Sequence, residues 1–445
     1  MYDAIAVEQR GTPSATLVNT GFITDSKSAS GLQGIPGLRT VSETVPCECS
    51  VQSVVEENLL NAMEDMVRTL TTPLTEQEKN PVQKQADASR IIFSGDHTEI
   101  NRFFYRRGWS DGLPLVPPTE AAVKEMLQGT DLPPDHLLGK LEPRFGKATV
   151  EKVAVNAVMA GALPTHLPVI IAIVQGMADK TSAFGTYGCS TGSWSPHIVV
   201  NGPIRDEIHI NYSSGALSPG NIANSAIGRA VSLIAKNIAG ARKGVEDMGV
   251  QGNPAKYSQV MAEDEAGNPW GAEHVERGFA ASDNTMTLFY PNCYDQLWPY
   301  GTDVEGILSG IVYNMMPGKS NALSLLVMPP PLAQVLADAG WSKEDLRAFI
   351  ANNASVPAHR HPSSYGNRFG IGDKTVVPLN VTDSVLLMRN KANLRIIVAG
   401  GPGNFIGLHT SSGLIGDFVT YRIELPKNWE TLVKQYKNLV PKYEI

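Results

Sequence analysis

Apolar and polar positions alternate in short runs along the chain, and the period of the alternation changes from segment to segment. Val51–Leu70 (VQSVVEENLLNAMEDMVRTL) has apolar residues at i, i+3, i+4 and i+7, the spacing of one helical face. Ahead of it, Asp3–Gln9 reads as the end of an amphipathic helix closed by Gly11, and Ser26–Gly31 as a short helix. Pro13–Asn19 and Leu38–Val45 read as strands. This βα alternation predicts a partial doubly wound, flavodoxin-like α/β lobe over residues 1–73, truncated at its front. The polar stretch Thr71–Ser94, with two prolines, marks a linker at 74–95. Residues 96–445 are then the main body, a large mixed α/β unit. Helices are predicted there at Thr98–Arg107, Thr119–Gln128, Thr149–Gly161, His166–Ala178 and Asn224–Ala239, and a helix pair at Pro331–Ala339 and Ser342–Asn352. Strands are predicted at Ile198–Val200, Thr285–Tyr290, Leu323–Met328, Ile396–Ala399 and Phe418–Ile423.

Composition narrows the classes. With 445 residues, 42% hydrophobic and 18% charged, the chain can bury substantial cores. A net charge of −7, and no basic run denser than Arg106-Arg107, argue against nucleic acid and anionic membranes as partners. The longest apolar run, Leu167–Val174, is far short of a membrane span. MYDAIAVEQRG lacks the basic and apolar regions of a secretory signal. Four cysteines in this length do not make a disulfide framework, and Cys47-Glu48-Cys49 lacks a second zinc half-site. A cytoplasmic homo-oligomer is the expectation.

Candidate chemistry concentrates in Phe184–Gly220, where Cys189 and Trp194 sit among glycines, serines and threonines before the strand His197–Val200. Small residues beside a strand end let backbone approach a ligand closely. Cys189 is either a nucleophile, with His197 eight residues on, or a small residue in a tight turn. Asp111, in Gly-Trp-Ser-Asp-Gly, is a general acid or base, or a turn aspartate; Trp109 beside it stacks on a ligand or fills core. Asn156, one turn after Lys152 in an apolar helix, needs a hydrogen-bond partner, structural or ligand. Arg229, also in an apolar helix, needs an anion: Glu246, Asp247, or a substrate carboxylate or phosphate. Asn201, Asn211, Asn221 and Asn224 complete a polar group suited to substrate binding. The turn Gly400-Gly401-Pro402-Gly403 after a strand can cradle an anion through backbone N–H groups. It is neither GxGxxG nor a Walker loop, so no nucleotide cofactor is expected. His359 and His361 form an HxH pair that would hold a divalent metal with His409, His197 or Asp373, or lie in a surface loop.

Two resemblances add to this. Residues Tyr2 to Pro73, and Glu8-Gln9-Arg10-Gly11-Thr12-Pro13 in particular, resemble the tail of glycine and proline reductase selenoprotein subunits and of the related UGSC (seleno)proteins. Those families carry a Sec/Cys-Gly-x-Cys redox motif at a strand end; by the resemblance it would precede Met1, and Cys47-Glu48-Cys49 does not replace it by position. The motifs FFYRRGWSDGLPLVPPT, ATVEKVAVNAVMAGALP, VVNGPI, AIGRAV and VAGGPG resemble a bacterial family of no settled activity associated with UGSC proteins. The resemblance implies a chain that joins the two parts. The resulting expectation is a small-molecule enzyme, oxidoreductase or lyase, acting on a compact anionic substrate by thiol or acid/base chemistry. In it Cys189, Asp111 and His197 react, and Asn156, Asn201, Asn211, Asn224, Arg229, Gly400 and Gly401 bind. One alternative is a non-catalytic substrate-binding or scaffold subunit whose redox partner chain carries the missing motif. Another is a metal-dependent hydrolase or hydratase at His359 and His361.

Overall fold

A computed structural model describes residues 2–45, 51–79, 89–298, 300–316, 321–360, 382–411 and 415–439. Cys47, Cys49, His361 and Asp373 lie outside the described residues.

The N-terminal lobe is one βαβ unit. Strands β1 (Thr16–Asn19) and β2 (Thr40–Glu43) pair in parallel, and the helix Ile23–Leu32 crosses between them. Ile5, Val18, Ala29 and Val41 supply its buried apolar side chains, a small core for so short a sheet. The helix Gln52–Thr71 follows, with Ala62 buried and Leu60, Met63 and Val67 exposed. Arg39 donates to the carbonyls of Thr72 and Pro73 and pairs with Glu78, which fixes where the chain leaves the lobe.

The body is mixed α/β. A hairpin of β3 (Leu137–Leu141) and β4 (Gly146–Thr149) leads into the helices Val150–Ala160 and Leu167–Ala178. Thr149 caps the first of these through its hydroxyl, and Gly161 ends it in the left-handed conformation. The remaining strands are β5 (His197–Asn201), β6 (Val260–Ala262), β7 (Thr285–Phe289), β8 (Cys293–Leu297), β9 (Ser324–Met328), β10 (Ser355–Pro357), β11 (Ser384–Leu386), β12 (Leu394–Val398), β13 (Ile406–Thr410) and β14 (Val419–Arg422). They form two four-stranded mixed sheets, ordered β14-β7-β5-β6 and β12-β9-β13-β8, and a small β10-β11 pair.

Side-chain alternation along these strands explains how the sheets stack. Ile198 and Val200 of β5, with Met286 and Leu288 of β7, join the helices Leu167–Ala178 and Ile222–Ile234 in the largest core. Leu326 and Met328 of β9, with Ile396 and Val398 of β12, pack against Val304–Asn314, Pro330–Asp338 and Lys343–Asn353. The intervening residues Val199, Phe289, Val327 and Ile397 meet one another in a third cluster. The order is therefore helices, sheet, sheet, helices, with two inner strand faces turned toward each other.

Each predicted strand of the body lies within or against an observed one. The sequence reading does not predict β3, β4, β6, β8, β10, β11 or β13; of those that build the sheets, VMA is too short to show a period, and CYDQL and IGLHT interleave polar residues that read as loop. That polar interleaving is what builds the site.

Candidate functional site

The layer between the sheets is not uniformly apolar. On the same face as Val199, β5 carries His197 and Asn201; β13 contributes Gly407 and His409, and β8 Tyr294 and Gln296. His409 forms the floor of a cavity of about 580 Å³. Its walls include Tyr294, the loop Ser213–Ser218 and the turn Gly400–Gly403. The two glycine-rich stretches singled out in the sequence thus face one pocket.

His409 is 1% exposed and held in one tautomer. The Ser195 hydroxyl donates to Gln259 Oε1 (3.0 Å), which turns the Gln259 amide nitrogen toward His409 Nδ1 (3.1 Å). Nδ1 therefore accepts, and in the neutral ring Nε2 carries the proton. Burial pushes the imidazole down to about 3, so it is neutral at physiological pH. Nε2 lies 3.7 Å from where a Cβ on Gly407 would stand, and Gly407 itself lines the cavity. Tyr294 stacks on the ring, centroids 4.5 Å apart. On another side the buried His197 ring meets it edge-on at 4.4 Å. Both His197 nitrogens lack a partner among the described residues. Burial, then the neighbouring His409, hold His197 well below its ordinary range.

The walls are positioned by asparagines from behind. Asn224 Oδ1 accepts from the Asn211 N–H (2.8 Å), and its Nδ2 donates to the carbonyls of Asn211, Ala216 and Val260. Asn211 in turn accepts from Ser213 N and donates to Ser214 O and to Asn221 Oδ1. Opposite, Gly400 N donates to Tyr212 O (2.8 Å) with φ at +105°. A Cβ on Gly401 would stand 2.0 Å from Ser214 Oγ, so only glycine lets the two loops approach this closely. Gly400 and Gly401 are wall; Asn211 and Asn224 are the frame that holds it.

The other predicted site residues are placed elsewhere. Asn201 Nδ2 donates to Glu263 (2.7 Å) and Glu265 (3.2 Å) inside the protein. Burial raises the Glu263 carboxyl above its usual range although Lys343 Nζ lies 3.8 Å away. Cys189 lines a separate cavity of about 660 Å³, between the β1 region of the N-terminal lobe and the body. Its thiol donates to Gly185 O (2.6 Å). Burial, with Asp25, Glu142, Asp247 and Glu246 nearby, pushes it up to about 12, the reverse of what a nucleophile requires. His197 is not among the residues lining that cavity.

Arg229 finds its anion in another predicted residue. Nε and Nη2 reach the two carboxylate oxygens of Asp111 at 2.8 and 3.0 Å, and Nη2 also donates to Pro114 O. Burial opposes the Asp111 charge, but the Arg229 guanidinium outweighs it and holds the carboxyl below its ordinary value. The expected partners Glu246 and Asp247 pair instead with Arg242 and Lys256, which lie nearer along the chain. Asn156, 5% exposed, donates to Lys152 O and accepts from Asn237. His359 is exposed in a short turn, and no group of three or more His, Cys, Asp or Glu suited to a metal occurs among the described residues.

Tyr294 and Gln259 carry no signal in the sequence reading, and His409 enters it only as a further metal ligand. For His409 a signal was present: in IGLHT, Gly407 and His409 share one face while Ile406, Leu408 and Thr410 share the other.

Among the described residues no helix is long and apolar enough to cross a membrane. Neither the curated proteins nor the solved structures contain a match to the chain. What can be identified by comparison is the N-terminal lobe: residues 1–72 match the UGSC family.

Proposed function

We propose that the inter-sheet cavity binds a compact small molecule bearing a carboxylate or carbonyl oxygen, and that the protein is an enzyme of the acid/base, carbon–heteroatom lyase type. The carrying observation is the fixed tautomer of His409. A neutral imidazole whose Nδ1 is occupied offers a single N–H donor, and burial keeps it from becoming a cation that water would solvate. An oxygen that gains charge in the reaction is stabilised by such a donor more than its ground state is. The facing turns Ser213–Ser218 and Gly400–Gly403 supply backbone and hydroxyl groups for the rest of an anion. The acid/base half of the chemistry is favoured over the thiol half, since Cys189 is suppressed and lines a different cavity.

The test has two stages. A thermal-shift screen of small 2-oxo and 2-hydroxy carboxylates on the full chain should find a stabilising compound, whose turnover is then followed. Gln259→Glu presents only acceptors to Nδ1 and drives the proton there, leaving Nε2 bare. That variant should lose about 10²–10³ in kcat/KM with the fold intact. Unchanged kcat/KM in Gln259→Glu, or no carboxylate bound at all, removes the reading. Binding without turnover makes the protein a substrate-binding subunit.

A further inference from the structure

A second cavity, of about 750 Å³, lies on the far side of the largest core, and nothing in the inter-sheet site uses it. Its walls are rings: Phe93 and Phe103 stack with centroids 4.6 Å apart and planes 13° from parallel, and Trp109 meets Phe103 edge-on at 5.9 Å. Phe93 belongs to an extended strap pinned by Arg90, whose Nη2 lies 2.7 Å from Glu151 Oε1. The strap residues Ile91, Ile92 and Phe93 remain 63%, 51% and 41% exposed, although they border the cavity.

The polar side chains lining this cavity are Arg90, Ser94, Thr119, Glu120, Asn156 and Asn237, of which the last two are hydrogen-bonded to each other. Asn156 and Asn237 line it side by side. Asn237 sits in a π-helical turn, Ala235–Ala239, which extends the helix Ile222–Ile234; turns of this kind recur where a side chain must be re-aimed for function. Asn237 Nδ2 gives one hydrogen to Trp109 O (3.1 Å) and the other to Asn156 Oδ1 (2.9 Å). Asn156 Nδ2 gives one hydrogen to Lys152 O (2.9 Å). Counting donors and acceptors leaves two groups without a partner among the described residues, Asn237 Oδ1 as acceptor and the second Asn156 N–H as donor. Asn237 is only partly buried and its Oδ1 is not sealed from solvent, so an occupant can pair with both groups in place of water.

We infer that this cavity is a binding site for a flat, neutral ring system whose edge carries an adjacent donor and acceptor, that is, a cyclic amide. The rings take the faces and the asparagine pair reads the edge, the division of labour expected of an apolar pocket with a few oriented polar groups.

Fluorescence and calorimetric titration of the full chain with three neutral lactam rings, lumichrome, pterin and hypoxanthine, tests this. At least one should bind with a Kd below about 1 mM, and its N-methylated lactam should bind at least tenfold more weakly. Phe93→Ala, a half-exposed position whose change leaves the fold intact, should weaken the ring tenfold or more. His409→Leu should leave ring binding unchanged, which separates this site from the inter-sheet one. No binding by any of the three, equal binding of the N-methylated ring, or indifference to Phe93→Ala overturns the assignment.

Discussion

The two ends of the segment Phe184–Gly220 have nearly the same composition and opposite roles. Around Cys189, the segment's own polar groups are spent inward: Ser193 Oγ accepts from Gly252 N, the Ser193 carbonyl from Asn253, the Thr191 carbonyl from Val250 N, and the Trp194 indole N–H donates to Ser411. Around Ser213–Ser218, the inward work is done by Asn211 and Asn224, so the loop's outer face borders a cavity. Glycine and serine signal close backbone approach in both places. What distinguishes a site is whether another residue type has already met the backbone's needs from behind.

The pH dependence of stability should break the symmetry most sharply. His409 and His166 are held at about 3 by burial, and His197 well below its ordinary value, against about 6.5 in the unfolded chain. Their folded values are depressed, so the unfolded state binds more protons as pH falls below about 6.5. Stability is full above that value and declines toward about 3, by up to about 1.4 kcal/mol per pH unit per histidine. Cys189 works at the other end. Its thiol is raised from 9.0 to about 12, so its contribution is present below about 9 and is lost as pH rises toward 12. Urea midpoints between pH 4 and 8 should shift less in His409→Leu than in the parent; equal slopes would contradict the burial assigned to this ring.

Asn224→Ala comes next. It removes four hydrogen bonds at a buried position and leaves the Asn211 N–H and the Ala216 and Val260 carbonyls unpaired, while Asn211 O keeps the Ala262 N–H. A loss of about 3 kcal/mol in chemical denaturation is expected, with any carboxylate ligand of the cavity lost as well. Ser193→Ala, in the first half, should cost about 1 kcal/mol and leave the ligand untouched. Should both variants bind ligand equally, the cavity beside Ser213–Ser218 is not the site.

How much of this could be read from sequence follows the same division. The helices of the body and the strands rich in Val and Ile were legible, because one period runs through each and both faces of β5, β9 and β12 are buried. Arg229 reads from sequence as needing an anion and Asp111 as an acid/base or turn aspartate, but 118 residues separate the two and local pattern cannot pair them. Glu246 and Asp247 looked nearer only along the chain. The site's floor was hidden for a different reason. His409 and Tyr294 lie on strands whose inner face is polar, and polar alternation on a short strand is indistinguishable from a loop until the opposing sheet is in place.

The smallest effect should come from the residue that looked most reactive. Cys189→Ala removes a weak S–H donor to Gly185 O and a little apolar volume, so stability should change by about 1 kcal/mol. Any turnover in the inter-sheet cavity should stay at the parent value. Alkylation gives a more discriminating measurement than stability. A shift from 9.0 to about 12 lowers the thiolate fraction at pH 8 about a thousandfold, so iodoacetamide should modify Cys189 far more slowly than Cys293 in native protein, and the difference should vanish in urea. Site-resolved mass spectrometry reads each cysteine separately. Rapid native labelling of Cys189, with loss of turnover to match, would return the first half of the segment to the chemistry and dissolve the contrast with the second.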